Sequence, residues 1–546
     1  MPETRSWQVR WQAAQRLAQR SARRAAGSAR SAGSTAAAVT RSAAGSARTA
    51  YRSAVDTTRT AWWSASKQQR QTVRLTASST VLGLVVAAGA VTVAGPWDSG
   101  QRTAERARAA AADGRGGERH APDGAATVPS APPVLAAVGA PARGGDDGTP
   151  PAPGTKALAD VLAPLMKDPA LGPLRTASVV DAATGRELFG AEPARSATPA
   201  STVKLAIATA ALSALGPEHR IDTTVVEAGD GGIVLVGGGD PTLTARAPKQ
   251  DAQDQPANLR ALADDTARAL KKRGTGTVRL GYDTSAYTGP VLHPISPNEN
   301  IAPVTPLMAD EGRLDESEYG PAPRDGDPAA AAARTFARLL KDRGITVDGT
   351  PARTTAPAEA RRLATTRSLP LAALVERMLT HSDNDIAEAL ARQTALAAGE
   401  PAGFEGAGRA VSKTLTKLGL PLNGAVFEDG SGLDRDDKVS AGLLARILAL
   451  ATSADHPELR PVTTGLPVAG FTGTLSGRYA GEKAGAGTVR AKTGTLTGVN
   501  TLAGTVVDTD GRLLVFAFMT NDTTDPQAAQ QALDRLATAV ANCGCR

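Results

Sequence analysis

Ser201, Lys204, Ser382, Asn384, Lys492 and Thr493 are the side chains of this 546-residue chain whose types and spacing suit joint chemistry. They fall in three short motifs: Ser201-Thr202-Val203-Lys204, Ser382-Asp383-Asn384 and Lys492-Thr493-Gly494. A serine hydroxyl is a weak nucleophile at neutral pH and needs a base within hydrogen-bond reach. Residues three apart on a helix share a face, so Lys204 sits beside Ser201. A lysine serves as that base only when burial or a second cation, here Lys492, lowers its pKa. Backbone N–H groups in the first turn of a helix have no partner within it and can hold a developing oxyanion. The chemistry implied is acyl transfer through a serine.

These residues need elements to hold them. Ser201 opens a helix with Thr198 as its expected cap, Pro199 as the first helical position and Gly216-Pro217 as the stop. Before it come a helix over Ala157–Lys167 and a strand pair, Ala177–Val180 and Glu187–Phe189, turning at Thr184-Gly185. From about Thr223 to Asp327 the texture is Gly-rich, with strand segments such as Gly232–Val236 and Val278–Leu280 and one helix, Leu259–Lys272. Helical texture returns over Ala329–Lys341 and Leu369–Leu379, which places Ser382 between helical segments. Lys492-Thr493-Gly494 enters a strand-rich stretch, in which Thr501–Val507 and Leu513–Met519 read as a hairpin around Asp510-Gly511. A last helix runs from Pro526 to about Ala541. There is no internal repeat.

Each motif alone says little. The chain holds a second S-x-x-K, Ser64 to Lys67, and a second S-x-N, Ser296 to Asn298. Taken singly, the three sites read equally as a solvated helix turn, a helix cap and a turn before a strand. Context separates them: Ser64 lies in a basic tail without helix punctuation, and Ser296-Pro297-Asn298 in a Pro-rich loop. The ordered trio carries the argument.

The net charge of +7 is unevenly placed. Residues 1–74 hold thirteen Arg and Lys67 against Glu3 and Asp56, a net +12, which leaves the rest at −5. The basicity therefore belongs to the tail, and nothing after it reads as a nucleic-acid platform. An anionic inner-leaflet surface is the expected partner of that tail. Leu75–Pro96 has no charged residue and is long enough to span a bilayer as a helix. Following so basic a segment, it reads as a signal anchor with the N-terminus in the cytoplasm. An internal start near Val73 would instead make it a signal sequence with Ala94 at the cleavage site. Residues 97–155, with eight prolines between Pro122 and Pro153, read as an extended linker.

Other patterns carry less. Cys543 and Cys545 fit no zinc spacing and could pair locally or stay free. Gly237-Gly238-Gly239 lacks the G-K-[ST] of a phosphate loop. His120, His219, His293, His381 and His456 show no metal-ligand spacing, and His381, one position from Ser382, reads as a surface or loop residue.

The trio is the signature shared by class A β-lactamases and penicillin-binding proteins. The segments Leu235–Leu243 (LVGGGDPTL), Ser382–Glu388 (SDNDIAE) and Glu428–Leu433 (EDGSGL) resemble those of the class C low-molecular-mass penicillin-binding proteins, the D-Ala-D-Ala carboxypeptidase/endopeptidase group. The likeness runs from about Ala157 to the C-terminus. Lys204 and Ser382 stand 178 positions apart, wide enough for the accessory domain which that group inserts there. The resemblance implies an α/β transpeptidase-like domain, helices on both sides of a mainly antiparallel sheet, built from 156–222 and 328–546 around an insert at 223–327. It implies that Ser201 attacks the penultimate D-Ala carbonyl while Lys204 takes its proton. Ser382 would relay a proton to the leaving amine, Asn384 hold the substrate amide, and Lys492 and Thr493 the carboxylate, beside Gly494. The N–H groups of Ser201 and Thr495 would form the oxyanion hole. No metal or organic cofactor is implied; peptidoglycan peptides are the substrate and β-lactams the covalent inhibitors.

Two rivals share parts of this pattern. A β-lactamase would carry the trio without the insert and would need a deacylation base that the sequence does not place. A catalytically silent wall-binding or sensor protein would be free to lose the trio, which is intact here.

Overall fold

The computed structural model describes residues 152–248, 255–295 and 297–544. The basic tail, the apolar run at 75–96, nearly all of the proline-rich linker, Ser64, Lys67 and Ser296 lie outside them. Among the described residues no helix is long and apolar enough to cross a membrane.

Helix α1 (Thr155–Leu165) precedes the strand pair β1 (Leu174–Asp181) and β2 (Glu187–Ala191). Asp181 Oδ1 accepts from the N–H groups of Ala183 and Thr184 and shapes the turn between the strands. After β3 (Ser196–Ala197) a 3₁₀ turn, Ala200–Val203, runs straight into α2 (Lys204–Leu215). Every residue of α2 from Lys204 to Leu212 is buried, as expected of a helix that is apolar all round.

The chain then builds a second sheet. Its strands are β4 (Asp222–Ala228), β5 (Gly232–Val236), β6 (Thr277–Asp283), β7 (Thr346–Arg353) and β8 (Arg362–Arg367), in the order β7-β6-β5-β4-β8. β5/β6 and β6/β7 are parallel, which requires crossovers. Helices α3 (Leu259–Lys271) and α4 (Pro328–Asp342) supply them. The buried stripe of α4, including Ala332, Phe336 and Leu340, packs into one cluster with Val225, Leu235 and Leu280 of the sheet. This unit therefore extends from Asp222 to Arg367 rather than ending at 327. A helix's own periodicity shows that it has an apolar face, not which sheet that face will meet.

Next come α5 (Leu371–His381), α6 (Asn384–Ala398), α7 (Phe404–Lys417), β9 (Val439–Ser440), α8 (Ala441–Thr452) and the short α9 (Arg460–Thr464). β10 (Arg490–Leu496), β11 (Val499–Val507), β12 (Leu513–Asn521) and α10 (Pro526–Ala541) complete the chain. Asp525 caps α10 by accepting from Gln527 and Ala528, with Pro526 at the first helical position.

The first sheet has the order β10-β11-β12-β1-β2 and is antiparallel throughout. β12 alternates between two cores, as a strand covered on both faces must. Val515, Ala517 and Met519 join the cluster of α2 and α5–α8, while Leu514, Phe516 and Phe518 join that of α1 and α10. Cys543, just past α10, is buried and disulfide-bonded; Cys545 lies outside the described residues.

Candidate active site

The turn that carries Ser201 is strained and tightly held. Ala200, immediately before Ser201, has φ +47, a left-handed conformation that costs a non-glycine residue about 1–3 kcal/mol. Thr202 Oγ1 and Thr501 Oγ1 both donate to Pro199 O, at 2.7 and 2.8 Å, and fix the turn. Thr198 does not cap it. Its N–H is engaged by Asn521 Oδ1 at 3.0 Å and its hydroxyl donates to Arg435 O at 3.0 Å, because the tight 3₁₀ start leaves it one residue too far out. In a 3₁₀ turn residues i and i+3 eclipse. That geometry sets Lys204 Nζ 2.9 Å from Ser201 Oγ.

Lys204 is fully buried, and its amine meets two further oxygens, Asn384 Oδ1 at 2.7 Å and the Ser431 carbonyl. Burial pushes its pKa down to about 8, against the opposing pull of Asp429, Asp383, Glu388 and Asp437. A neutral amine has two N–H bonds and one lone pair, and a carbonyl oxygen can only accept. As an ammonium Lys204 donates to all three oxygens; once neutral, with its N–H bonds on Asn384 and Ser431, its lone pair is left for Ser201. The orientation of Asn384 is set from its other end, where Nδ2 donates to Asn300 O at 2.9 Å.

Ser382 ends α5 in a left-handed conformation, φ +58 and ψ +42, and Asp383 caps α6 by accepting from Ile386 N. Lys492, on β10 and fully buried, donates to Ser382 Oγ at 2.9 Å and to Thr493 O at 2.7 Å. Burial, and after it the Lys204 charge, hold its pKa well below the ordinary lysine value. Gly494 lets β10 lie against the turn that carries Ser201. A Cβ there would come 2.1 Å from Thr501 Oγ1 and 2.6 Å from Pro199 O.

Ser201 opens onto two cavities. One, of about 250 Å³, is lined by Ser382, Thr493, Thr495, Thr474 and Arg478. The other, of about 220 Å³, runs past Asn384, Asn300, Arg324 and Leu433. Ser201, Lys204, Ser382, Asn384, Lys492, Thr493, Gly494 and Thr495 thus converge on one place, from three parts of the chain. His381 also borders the second cavity; it is the half-buried last residue of α5, its ring stacked on Tyr319 at 4.3 Å.

Sequence reasoning missed Thr474, Asn300, Asp429, Ser431 and His293. Thr474 Oγ1 lies 2.8 Å from Thr493 Oγ1 inside the first cavity, and nothing in Gly473-Thr474-Leu475 announces it. The two glycines of Glu428–Leu433 were the available signal for the loop that carries Ser431. A Cβ on Gly432, whose φ is +79, would stand 2.2 Å from Ala200 O.

Two groups of buried side chains have ligand atoms close enough for a metal ion, His293/Glu388/Asp429 and Glu311/Asp383/Asp385. Arginine meets their carboxylates except Asp429, which faces His293. Arg392 pairs with Glu388 at 2.7 Å, Arg324 with Asp385 at 2.9 Å, and Arg313 and Arg377 with Glu311.

Residues 158–326 and 321–540 match the model of the D-Ala-D-Ala carboxypeptidase 3 (S13) family. A carboxypeptidase of Mycobacterium tuberculosis is 38% identical over 406 residues, covering 72% of this chain and 85% of its own length. Carboxypeptidase DacB of Mycolicibacterium smegmatis is 37% identical over 433 residues, 78% of this chain and 92% of that protein. In fold, the crystal structure of penicillin binding protein 4 (dacB) from Haemophilus influenzae superposes with a TM-score of 0.57 at 21% identity, over 70% of this chain and 97% of that one. A second crystal structure of the Haemophilus protein, with a β-lactam bound, gives a TM-score of 0.52 at 22% identity, again over 70% of this chain and 97% of the other. The family match takes in both sheets and every residue placed around Ser201, so this chain belongs to the D-Ala-D-Ala carboxypeptidase 3 (S13) family.

Proposed function

We propose that this D-Ala-D-Ala carboxypeptidase acts on peptidoglycan stem peptides through an acyl-enzyme on Ser201. The observation that carries this reading is the set of three oxygens around the buried Lys204 Nζ; once neutral, the amine keeps two N–H bonds for Asn384 and Ser431 and has a lone pair for Ser201.

Neutral Lys204 takes the Ser201 proton as Oγ forms a bond to the penultimate D-Ala carbonyl carbon. The resulting oxyanion sits between the N–H groups of Ser201 and Thr495. As the C–N bond breaks, Ser382 gives its proton to the leaving amine and regains the one that Lys204 had accepted, passed on through Lys492, so that D-Ala departs neutral at nitrogen and Lys204 is again neutral. Water then attacks the ester, Lys204 takes a proton from it, and Ser201 Oγ leaves with that proton restored. Lys492 and Thr493 bind the substrate's terminal carboxylate, and the second Nδ2 hydrogen of Asn384 reaches the substrate amide. A D-Ala cross-link presents the same carbonyl, so endopeptidase action follows by the same steps.

The Haemophilus relative was solved with a β-lactam. The same attack on a lactam carbonyl leaves the amine tethered in the site, which slows deacylation, and we extend that inhibitor class to this chain. We place the catalytic part outside the cell, anchored by residues 75–96, because the substrate lies there and the uncharged run follows a +12 segment.

Fluorescent penicillin labelling tests the reading. Wild type and Ser64→Ala are expected to take the label and release D-Ala, and Ser201→Ala to do neither. Persistent label on folded Ser201→Ala would overturn the assignment.

A further inference from the structure

The 291–304 segment of the second-sheet unit meets the residues around Ser201 at three points. Asn300 O accepts from Asn384 Nδ2 at 2.9 Å, Ala302 N donates to Asp385 Oδ1 at 2.9 Å, and His293 Nε2 lies 2.8 Å from Asp429 Oδ2. The third contact is the informative one, because both side chains are shut away from solvent, at 1% and 0% exposure. His293 Nδ1 accepts from Ile295 N at 3.2 Å, so the ring's own N–H sits on Nε2 and points at Asp429.

Asp429 is the centre of a tight turn. Its Oδ1 accepts from Gly432 N at 2.6 Å; its Oδ2 accepts from Ser431 Oγ at 2.7 Å and from Leu433 N and Asp434 N at 3.0 Å. Glu388 Oε1 holds the other side of the same turn, accepting from Gly430 N and Ser431 N at 3.0 Å. The carbonyl that this turn presents is Ser431 O, one of the oxygens that meet Lys204 Nζ.

We propose that His293 is a positioning residue for acylation: by holding Asp429 it fixes the Ser431 carbonyl, and that carbonyl aims the Lys204 amine at Ser201. The second-sheet unit then belongs to the catalytic machinery and is not only a wall of the groove. His293 and Asp429 stand 136 positions apart, and the fold brings them together.

The charged surroundings make the effect readable. His293 faces Asp429, Glu388 and Asp434. Lys204 faces Asp429, Asp383, Glu388 and Asp437, and its charge in turn bears on Lys492. Burial, and after it the Asp429 charge, push the Asp437 pKa up. Asp429 thus stands out as the anion that favours the charged form of Lys204 most. Without the His293 donor that charge is shared less, and Lys204 keeps its proton to higher pH.

The inference rests on the acyl-enzyme reading above. The test uses full-length protein with His293→Ala, His293→Gln and Ser201→Ala, scored by penicillin acylation, by kcat and KM for D-Ala release against pH, and by thermal unfolding. His293→Ala is expected to lower kcat about tenfold or more with KM little changed, and to move the acid limb of the pH profile upward. His293→Gln keeps a donor at the Nε2 position and is expected to recover most of the loss. If His293→Ala does not fold, His293→Asn, too short to reach Asp429, takes its place against Gln. An unmoved kcat and pH profile in folded His293→Ala or His293→Asn, or no recovery with Gln, overturns the proposal while the acyl-enzyme reading stands. Label surviving on Ser201→Ala overturns both.

Discussion

Lys492 Nζ donates to Ser382 Oγ across 2.9 Å, joining a strand residue to a helix-end residue 110 positions earlier. The two oxygens it meets, this hydroxyl and the Thr493 carbonyl, carry no charge. A fully buried ammonium without an anion is costly, which is why burial holds its pKa so low. A carboxylate arriving from substrate would restore the charge.

Lys492→Ala is therefore expected to impair acylation by carboxylate-bearing peptides far more than by a small neutral thioester. Removing one charged hydrogen-bond partner costs on the order of 1.5–3 kcal/mol, roughly a tenfold to hundredfold effect. The comparison is kcat/KM against pH for both substrates. Equal losses, with a displaced acid limb, would make Lys492 an electrostatic tuner of Lys204 instead.

The pH dependence of acylation follows from Lys204. Its folded pKa is lowered to about 8, so the amine is neutral and competent above that value and protonated below it. The acylation rate is expected to fall about tenfold per pH unit below 8 and to level off above. Asn384→Asp puts a carboxylate where Oδ1 now lies 2.7 Å from Nζ, and should move this limb upward by about 1–3 units. A rate flat from about pH 6 to 9 would remove Lys204 from the role of base.

Thr474 is expected to orient the Thr493 hydroxyl toward the substrate carboxylate. Thr474→Val deletes the 2.8 Å hydroxyl contact at nearly constant volume. A neutral hydrogen bond is worth about 0.5–1.5 kcal/mol net, so KM for a peptide should rise roughly twofold to tenfold. Thr474→Ser should behave as wild type. If valine leaves KM unchanged, Thr474 is packing alone.

For the N-terminal segments, a reporter active only outside the cytoplasm should work when fused after Asp98 and fail after Lys67. Limited proteolysis should cut first within 97–155 and leave a penicillin-binding fragment that starts near Lys156. Reporter activity at both points, or a fragment that does not fold, would refute the anchor or the linker boundary respectively.

Local elements were legible because their causes are local. Pro526 starts α10 where it was expected to, the apolar run Leu513–Met519 falls in β12, and the Ser201–Lys204 spacing puts Lys204 beside Ser201. The cap at Thr198 was misjudged because the helix opens through a 3₁₀ turn whose cap position is Pro199, and Thr198 instead meets the distant Asn521 and Arg435. The boundary near 327 failed for a related reason: α4 has the periodicity of a helix on either sheet, and only its partners, Leu235 and Leu280 among them, say which.

The sequence by itself settled which groups could react, because a serine, two lysines and an asparagine in three short motifs restrict the chemistry whatever the fold. The tertiary structure decided their states. Lys204 holds its proton less tightly because the fold buries it, and its amine is oriented by oxygens 180 and 227 positions away. His293, Asp429 and Thr474 join the site through contacts of the same kind. A pattern along the chain records what neighbours in sequence impose on one another, whereas desolvation and hydrogen-bond direction at a buried amine are set by atoms that meet only when the sheets and helices have packed.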